Sequence, residues 1–429
     1  MKKLFLMPLV ALCLLFTACN GGNGPDNPDG KYDDYPYSTL TPEQQKSKLI
    51  AESDALLNKI SDLPDQKAIS LMETFAELVD ISEPDGNLLI DFEKGYFEVN
   101  EFQGEYSWNA TVRAWDFADA KGKIVFNFPS TVEGTTNNAK IELSGVGSDN
   151  MENINGDIIE LPKELKAVIS ENGSEVAKIE VKAENPNIAN VAKSASANAS
   201  IGNYTIVANA SKDGENKVNS TVKFSKGSDV LLSGTLSSTI DWEYINEYTS
   251  GSGYVERDTM INLDYQSFEV DITSNLALTG YVDIKNMNKD LRAIDKKYED
   301  RYDSTWTEAK DKACAEEWVA AYNKYCKVRL VSRSEKYVIA DLAFGVEPYE
   351  KTKQVWDDDN WTYVEVPDGY GYDVKHILVF NDKTEVDFEV FFGEGFEKVI
   401  QAWEDFFEKL GLVYEEDEPS DITDEVDWN

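Results

Sequence analysis

From about residue 87 to residue 285 the chain switches between apolar and polar side chains at successive positions. Tyr204, Ile206, Ala208 and Ala210 alternate with Thr205, Val207, Asn209 and Ser211, and after Asp213-Gly214 the alternation resumes at Val218, Val222 and Phe224. Neighbouring side chains on a strand point to opposite faces, so this pattern builds strands with one apolar face and one wet face. Asn172-Gly173, between the apolar-rich stretches 165–170 and 176–181, supplies the positive φ angles of a tight hairpin, as does Asp213-Gly214. The pattern predicts a long antiparallel meander. No fixed repeat length marks a solenoid or propeller.

Helical spacing flanks this run. Thr41-Pro42-Glu43-Gln44 combines an N-cap hydroxyl, a proline at the first helical position and a glutamine that completes a capping box. Leu49, Leu56, Ile60 and Leu63 follow on one stripe, and Ile69, Met72, Phe75 and Val79 form another beyond Pro64-Asp65. Past the strands, Leu291, Ile294 and Tyr298, then Cys314, Trp318, Ala321 and Tyr325, mark two more helices. Strands are expected at 337–344, 354–366, 372–380 and 385–392, and a helix at 395–410 with Phe396, Val399, Trp403, Phe406 and Phe407 inward. The expected architecture is α+β: a helical hairpin at 41–83, an antiparallel β domain at 87–285, an α+β portion at 286–411 and an acidic tail at 412–429. Residues 415–429 contain eight acids and no base, which reads as disorder.

The formal charge of −39 repels nucleic acid phosphates and anionic headgroups, and no basic cluster with interleaved aromatics offsets it. Nucleic acid is therefore excluded as a partner. His376 is the only histidine, so nucleophile activation by histidine would rest on one strand residue, and zinc sites built on several histidines or thiolates are ruled out within one chain. No cofactor is expected: no Gly-rich loop opens a helix after a strand. Outside the N-terminal segment only Cys314 and Cys326 remain, and along one helix they would lie roughly 18 Å apart, too far for a disulfide.

The first residues read as an export signal. Lys2 and Lys3 form a basic start, 4–16 an apolar run too short to span a bilayer, and small Ala18 precedes Cys19. Residues 1–18 are thus a signal peptide. Residues 19–40, rich in Gly, Pro, Asn and Asp, read as a lipidated cysteine followed by a flexible tether.

Phe16-Thr17-Ala18-Cys19 resembles the lipobox of bacterial lipoproteins, with Phe16 in place of the usual leucine. Together with the tether, the helix start at Thr41-Pro42-Glu43-Gln44-Gln45-Lys46 and the strand start at Leu161-Pro162-Lys163-Glu164-Leu165, it is similar to uncharacterised lipoproteins of the Bacteroidetes. The resemblance implies a diacylglyceryl group on the Cys19 thiol, membrane attachment through that lipid, and residence in the cell envelope at the outer membrane. It leaves periplasmic and surface-facing orientations open. Asp258-Thr259-Met260 and Asp303-Ser304-Thr305 resemble the O-glycosylation tripeptide of exported proteins in that group, which would modify Thr259 and Ser304.

The remaining candidates are weaker in chemistry. Asp357-Asp358-Asp359-Asn360 lacks the spacing and glycine of a calcium loop and reads as a charged hairpin turn. Beside it Trp356 and Trp361 are expected to face each other across strands, with Tyr363 near, as a platform on which sugar rings stack. Three functions follow: a non-enzymatic envelope lipoprotein with a binding or scaffolding role toward a glycan or protein, a carrier of apolar ligands in a sheet-lined cavity like the half-barrel lipoprotein carriers, and a glycan hydrolase with paired carboxylates. The first is the expected one.

Overall fold

The computed structural model describes residues 32, 34–82, 103–154, 157–184, 194–213, 217–240, 263–299, 301, 306–357 and 362–409. Two helices come first, α1 (Pro42–Ile60) and α2 (Lys67–Ser82). Twelve strands follow: β1 (Gly104–Asn109), β2 (Ala114–Ala118), β3 (Lys123–Phe128), β4 (Ala139–Ile154), β5 (Asp157–Glu171), β6 (Ser174–Glu184), β7 (Ser194–Ile201), β8 (Tyr204–Lys212), β9 (Lys217–Lys226), β10 (Asp229–Ile240), β11 (Leu263–Asp271) and β12 (Leu276–Val282). Helices α3 (Ile284–Lys297) and α4 (Glu308–Tyr325) precede β13 (Cys326–Ser332), β14 (Tyr337–Asp357), β15 (Thr362–Phe380) and β16 (Glu385–Asp387), and α5 (Phe388–Lys409) closes the described chain. No described helix is long and apolar enough to cross a membrane.

All strands among the described residues belong to one 16-stranded sheet whose order follows the sequence, except that β1 lies between β2 and β3 and pairs parallel with β3. Every other pairing is antiparallel. The expected large meander is present, and the sheet runs on past residue 285 into β13–β16 without a break. Short hairpin connections favour this order, and β12 and β13 still pair although two helices lie between them.

Register carries one apolar face across the whole sheet. Leu330 faces Leu278, which faces Val270, then Gly234, Val222, Ala208, Ala197, Val181 and Leu165 in turn. The opposite face bears Lys166, Glu180, Asn198 and Val207 in one row, with Ser, Thr and Lys at neighbouring positions.

The N-terminal helices cross the apolar face against the strand order. Leu49 packs with Leu330, Ile339 and Leu378; Leu56 and Ile60 with Tyr204, Phe224 and Leu231; Phe75 and Leu78 with Tyr106, Ile124 and Phe128. From β14 to β3 that is ~53 Å at the usual strand spacing, which two helices of this length joined by a short link can span. The two helices expected over 41–83 are present; α1 and α2 meet at their joint through Ile60, Leu63 and Ile69, while α1 lies along α5 and α2 over β2 and β6. A hydrophobic stripe defines a buried face, and here the sheet and α5 fill it more completely than a second short helix would. At the joint, Tyr204 donates to the Lys59 carbonyl at 2.9 Å and to Asp62, and Lys226 bonds Asp62 at 2.6 Å.

Two further expectations change. The strand at 385–392 ends at Asp387, whose carboxylate accepts from Val390 N at 3.0 Å and starts α5, so Phe388, Phe391, Phe392 and Phe396 lie on a helix. The tether shortens as well: Tyr32 and 34–40 are docked on the wet face rather than loose, as described below.

Candidate functional site

β14 and β15 outrun their neighbours. β13 pairs with β14 only from Tyr337 to Leu342, and β16 meets β15 only at Ile377, Leu378 and Val379. Beyond Phe344 and His376 no third strand flanks the pair among the described residues, and a two-stranded arm continues for ~44 Å. A bare hairpin is marginal in water, so such an arm needs a prop.

Helix α4 is that prop. The Asn323 side chain accepts from Phe344 N at 2.8 Å and donates to Phe344 O at 2.9 Å, replacing the strand that β13 no longer provides. The Tyr322 ring stacks on Phe344 with centroids 5.0 Å apart, and His376, opposite Phe344, packs its ring between Phe344 and Phe388. Further out, the buried Asp311 carboxylate accepts from Trp306 Nε1 at 2.8 Å, Tyr372 N at 2.9 Å and Lys351 Nζ at 3.2 Å. Burial pushes this carboxyl up, but the three donors outweigh it and hold the group below its ordinary value. Tyr372 Oη donates to Glu308 at 3.0 Å.

Support ends where the register slips. Glu350 faces Tyr370 but Thr352 faces Pro367, which leaves Lys351 opposite Asp368 and Gly369, the latter at φ +84°. Beyond this bulge the tip is a two-stranded ribbon with no third strand or helix packed on it among the described residues. Tyr363 is 63% exposed, and Val355, Tyr370 and Tyr349 are exposed too. Pro348, Pro367 and the lysines at 351 and 353 blunt the arm's open edges against further strand pairing. What the arm offers to a partner is therefore its faces.

The register places Trp356 opposite Tyr363, not opposite Trp361, because the turn is wider than two residues and Asp357 already faces Thr362. On that same face Gln354 faces Glu365 one step inward. Trp361, and the turn residues 358–360, lie outside the described residues, as do Cys19, Thr259 and Ser304.

A second cluster ties the N-terminal strap, Tyr32 and 34–38, to the wet face. Tyr32 is buried against Ala277, Val331 and Val338, with Tyr35 set edge-on to it. Its hydroxyl donates to Glu269 at 2.7 Å and accepts from Arg333, which also pairs with Glu269 and Asp271. Burial pushes the Asp271 carboxyl up against the pull of Ser233 and Arg333. Tyr37 donates to Asp341 at 2.7 Å, and burial with that carboxylate raises its hydroxyl to about 12. Val338 N donates to Pro36 O at 2.9 Å and Ser38 N to Val338 O at 2.8 Å, past the end of β15. The signal for this docking was three tyrosines inside a Pro- and Asp-rich stretch.

A third feature is a strip of the apolar face. Ile179 is 51% exposed between Ala167 and Ala199; further along the strands an open groove of about 690 Å³ is lined by Ala183, Ala195 and Ala210 together with charged and polar residues such as Lys163, Glu164 and Lys182. Among the described residues no three His, Cys, Asp or Glu side chains converge to hold a metal ion. Comparison with known families, curated proteins and solved structures finds no match.

Proposed function

We propose that this chain is an exported lipoprotein, lipidated at Cys19 and held to the outer membrane, whose body is a non-enzymatic binding module that meets its partner through the β14–β15 arm. The observation that carries this reading is the propped arm with exposed aromatics at its end. An arm so long, fastened by a buried carboxylate and blunted at its edges, adds little core; presenting Tyr363, Val355 and Tyr370 to a partner accounts for it. The exposed Tyr363 ring, with Trp356 opposite it in the backbone register and Gln354 and Glu365 one step inward, supplies the residue types of sugar recognition: aromatic rings, an amide and a carboxylate.

Two measurements test the reading. Cys19→Ser should abolish labelling by a fatty-acid analogue and release the protein from the membrane fraction; labelling that survives removes the anchor. Tyr363→Ala combined with Trp356→Ala should erase binding on a glycan array, and identical profiles with and without the substitutions would remove the platform. The exposed Ile179 strip favours a second reading, a carrier of apolar ligands. Native mass spectrometry of protein extracted from cells would then show a co-purified lipid, lost in Ile179→Glu. The hydrolase reading has less support: the neighbouring carboxylates Glu269 and Asp271 are both committed to Arg333.

A further inference from the structure

The strap and the arm tip lie at opposite ends of one strand. Tyr37 bridges Val338 at the start of β14, and the tip is reached at Asp357, ~63 Å further along an extended strand. Tyr32 packs near Glu269, close to the end of β11, and Arg333 in the turn after β13. The strap then passes the same turn, where Lys48 of α1 bonds Glu335 at 2.6 Å, to reach the apolar face. Tyr32, the first described residue, therefore sits at the foot of the sheet, on its wet face.

From this we infer that the anchored protein stands on the bilayer, its foot at 273–275, 333–336 and 381–384 facing the headgroups and its arm pointing away from them. The inference rests on lipidation at Cys19. Residues 20–31 reach at most ~40 Å when fully extended, less than the ~63 Å from strap to tip. With Tyr32 fastened, the tip can meet the membrane only if the body tips over until the arm lies within about 40° of the bilayer plane, so a body standing on its tip is excluded. Were the strap undocked, the residues up to 40 would join the tether, bring its reach to ~70 Å, and leave every attitude open.

Charge favours the same attitude. The foot turns carry Arg333, Lys336 and Lys383 against Glu335 and Asp382, whereas residues 345–375 of the arm carry more acids than bases. Anionic headgroups repel the arm over a Debye length and leave the foot near balance. A partner met by the arm then lies beyond the headgroup layer, in solution or on another macromolecule.

The test uses the full lipidated chain in phosphatidylcholine–phosphatidylglycerol vesicles that carry an energy-acceptor lipid. A donor dye is placed by Lys383→Cys at the foot or Tyr363→Cys at the tip. Foot donors should transfer energy roughly two-fold or more above tip donors, given the ~60 Å between them. Tyr32→Ala with Arg333→Ala should narrow that difference, and so should duplication of residues 20–31, which lengthens the chain between Cys19 and Tyr32 without changing a described residue. Equal transfer from foot and tip in the parent chain, or a difference that neither variant narrows, overturns the inference. Intact mass and vesicle co-flotation of the same samples report the lipid on Cys19 separately, so a missing anchor is distinguished from a wrong attitude.

Discussion

Asp311 fastens the arm, and its removal should be felt there first. In Asp311→Ala the indole N–H of Trp306, the amide of Tyr372 and the Lys351 ammonium all lose their acceptor. Removing one partner of a buried ion pair costs ~3–5 kcal/mol. Lys351, however, is 31% exposed while Asp311 is 3% exposed, so the cation can turn to water, and the two N–H groups dominate. We therefore expect a loss of about 2–3 kcal/mol in urea unfolding, and about half that for Asp311→Asn, which keeps an acceptor oxygen. Hydrogen exchange should speed up at the Tyr372 amide and along 344–351 and 370–376, while Leu330 and Leu378 stay protected. A loss below ~1 kcal/mol with unchanged exchange at Tyr372 would refute the reasoning. The same carboxyl sets a pH dependence. Its folded-state pKa lies below the ordinary value, so its contribution is complete above pH ~4 and drains as pH falls through the folded value. The arm's amides should accordingly lose protection in acid, and a flat exchange profile through that range would contradict the assignment.

Two further substitutions probe the sheet. A Cβ at Gly280 would sit 2.1 Å from Lys327 O and 2.6 Å from Val328 Cα, backbone that moves only if β12 and β13 part; Gly280→Ala should cost about 3 kcal/mol in urea unfolding, and a near-neutral result would mean the strands pair more loosely than described. Tyr204→Phe removes the hydroxyl bonded to Lys59 O and Asp62 and should lower stability by ~1–2 kcal/mol, read as a shift in thermal midpoint; no shift would detach the α1–α2 joint from β8.

Much of this fold is legible in the sequence because local chemistry decides it. The capping box at Thr41 forms as expected, with Gln44 N donating to the Thr41 hydroxyl at 3.4 Å and Thr41 N donating to Gln44 at 3.0 Å. The alternation at Tyr204–Lys212 becomes a strand with Tyr204 and Ala208 buried. What escapes is whatever depends on distant partners. The stripe of α1 says that Leu49 and Leu56 are buried, not that β13–β15 cover the first and β8–β10 the second, with α5 beside both. Around Tyr349–Thr352 both faces of the arm are wet, so the apolar rhythm that announces a strand disappears while backbone pairing persists. The aromatics from Phe388 to Phe392 look like strand residues, and only the cap by Asp387 turns them into a helix. At the candidate site, the aromatic cluster beside the acidic turn is visible in the sequence. Its prop is not, because Asp311 and Asn323 act on backbone atoms far along the chain.

The contact between α1 and α5 also orders the events of folding. Most of the sheet adds each strand to the one before it, a low-contact-order process that can proceed as the chain lengthens. Helix α1, made first, has no such local partner. Its Asp54 bonds Lys398 at 2.8 Å, across a sequence separation of 344. The N-terminal part of the first helix, at Leu49, thus waits uncovered until β13–β15 and α5 arrive, which makes it a segment that a chaperone would hold long after Leu56 and Ile60 have found β8–β10.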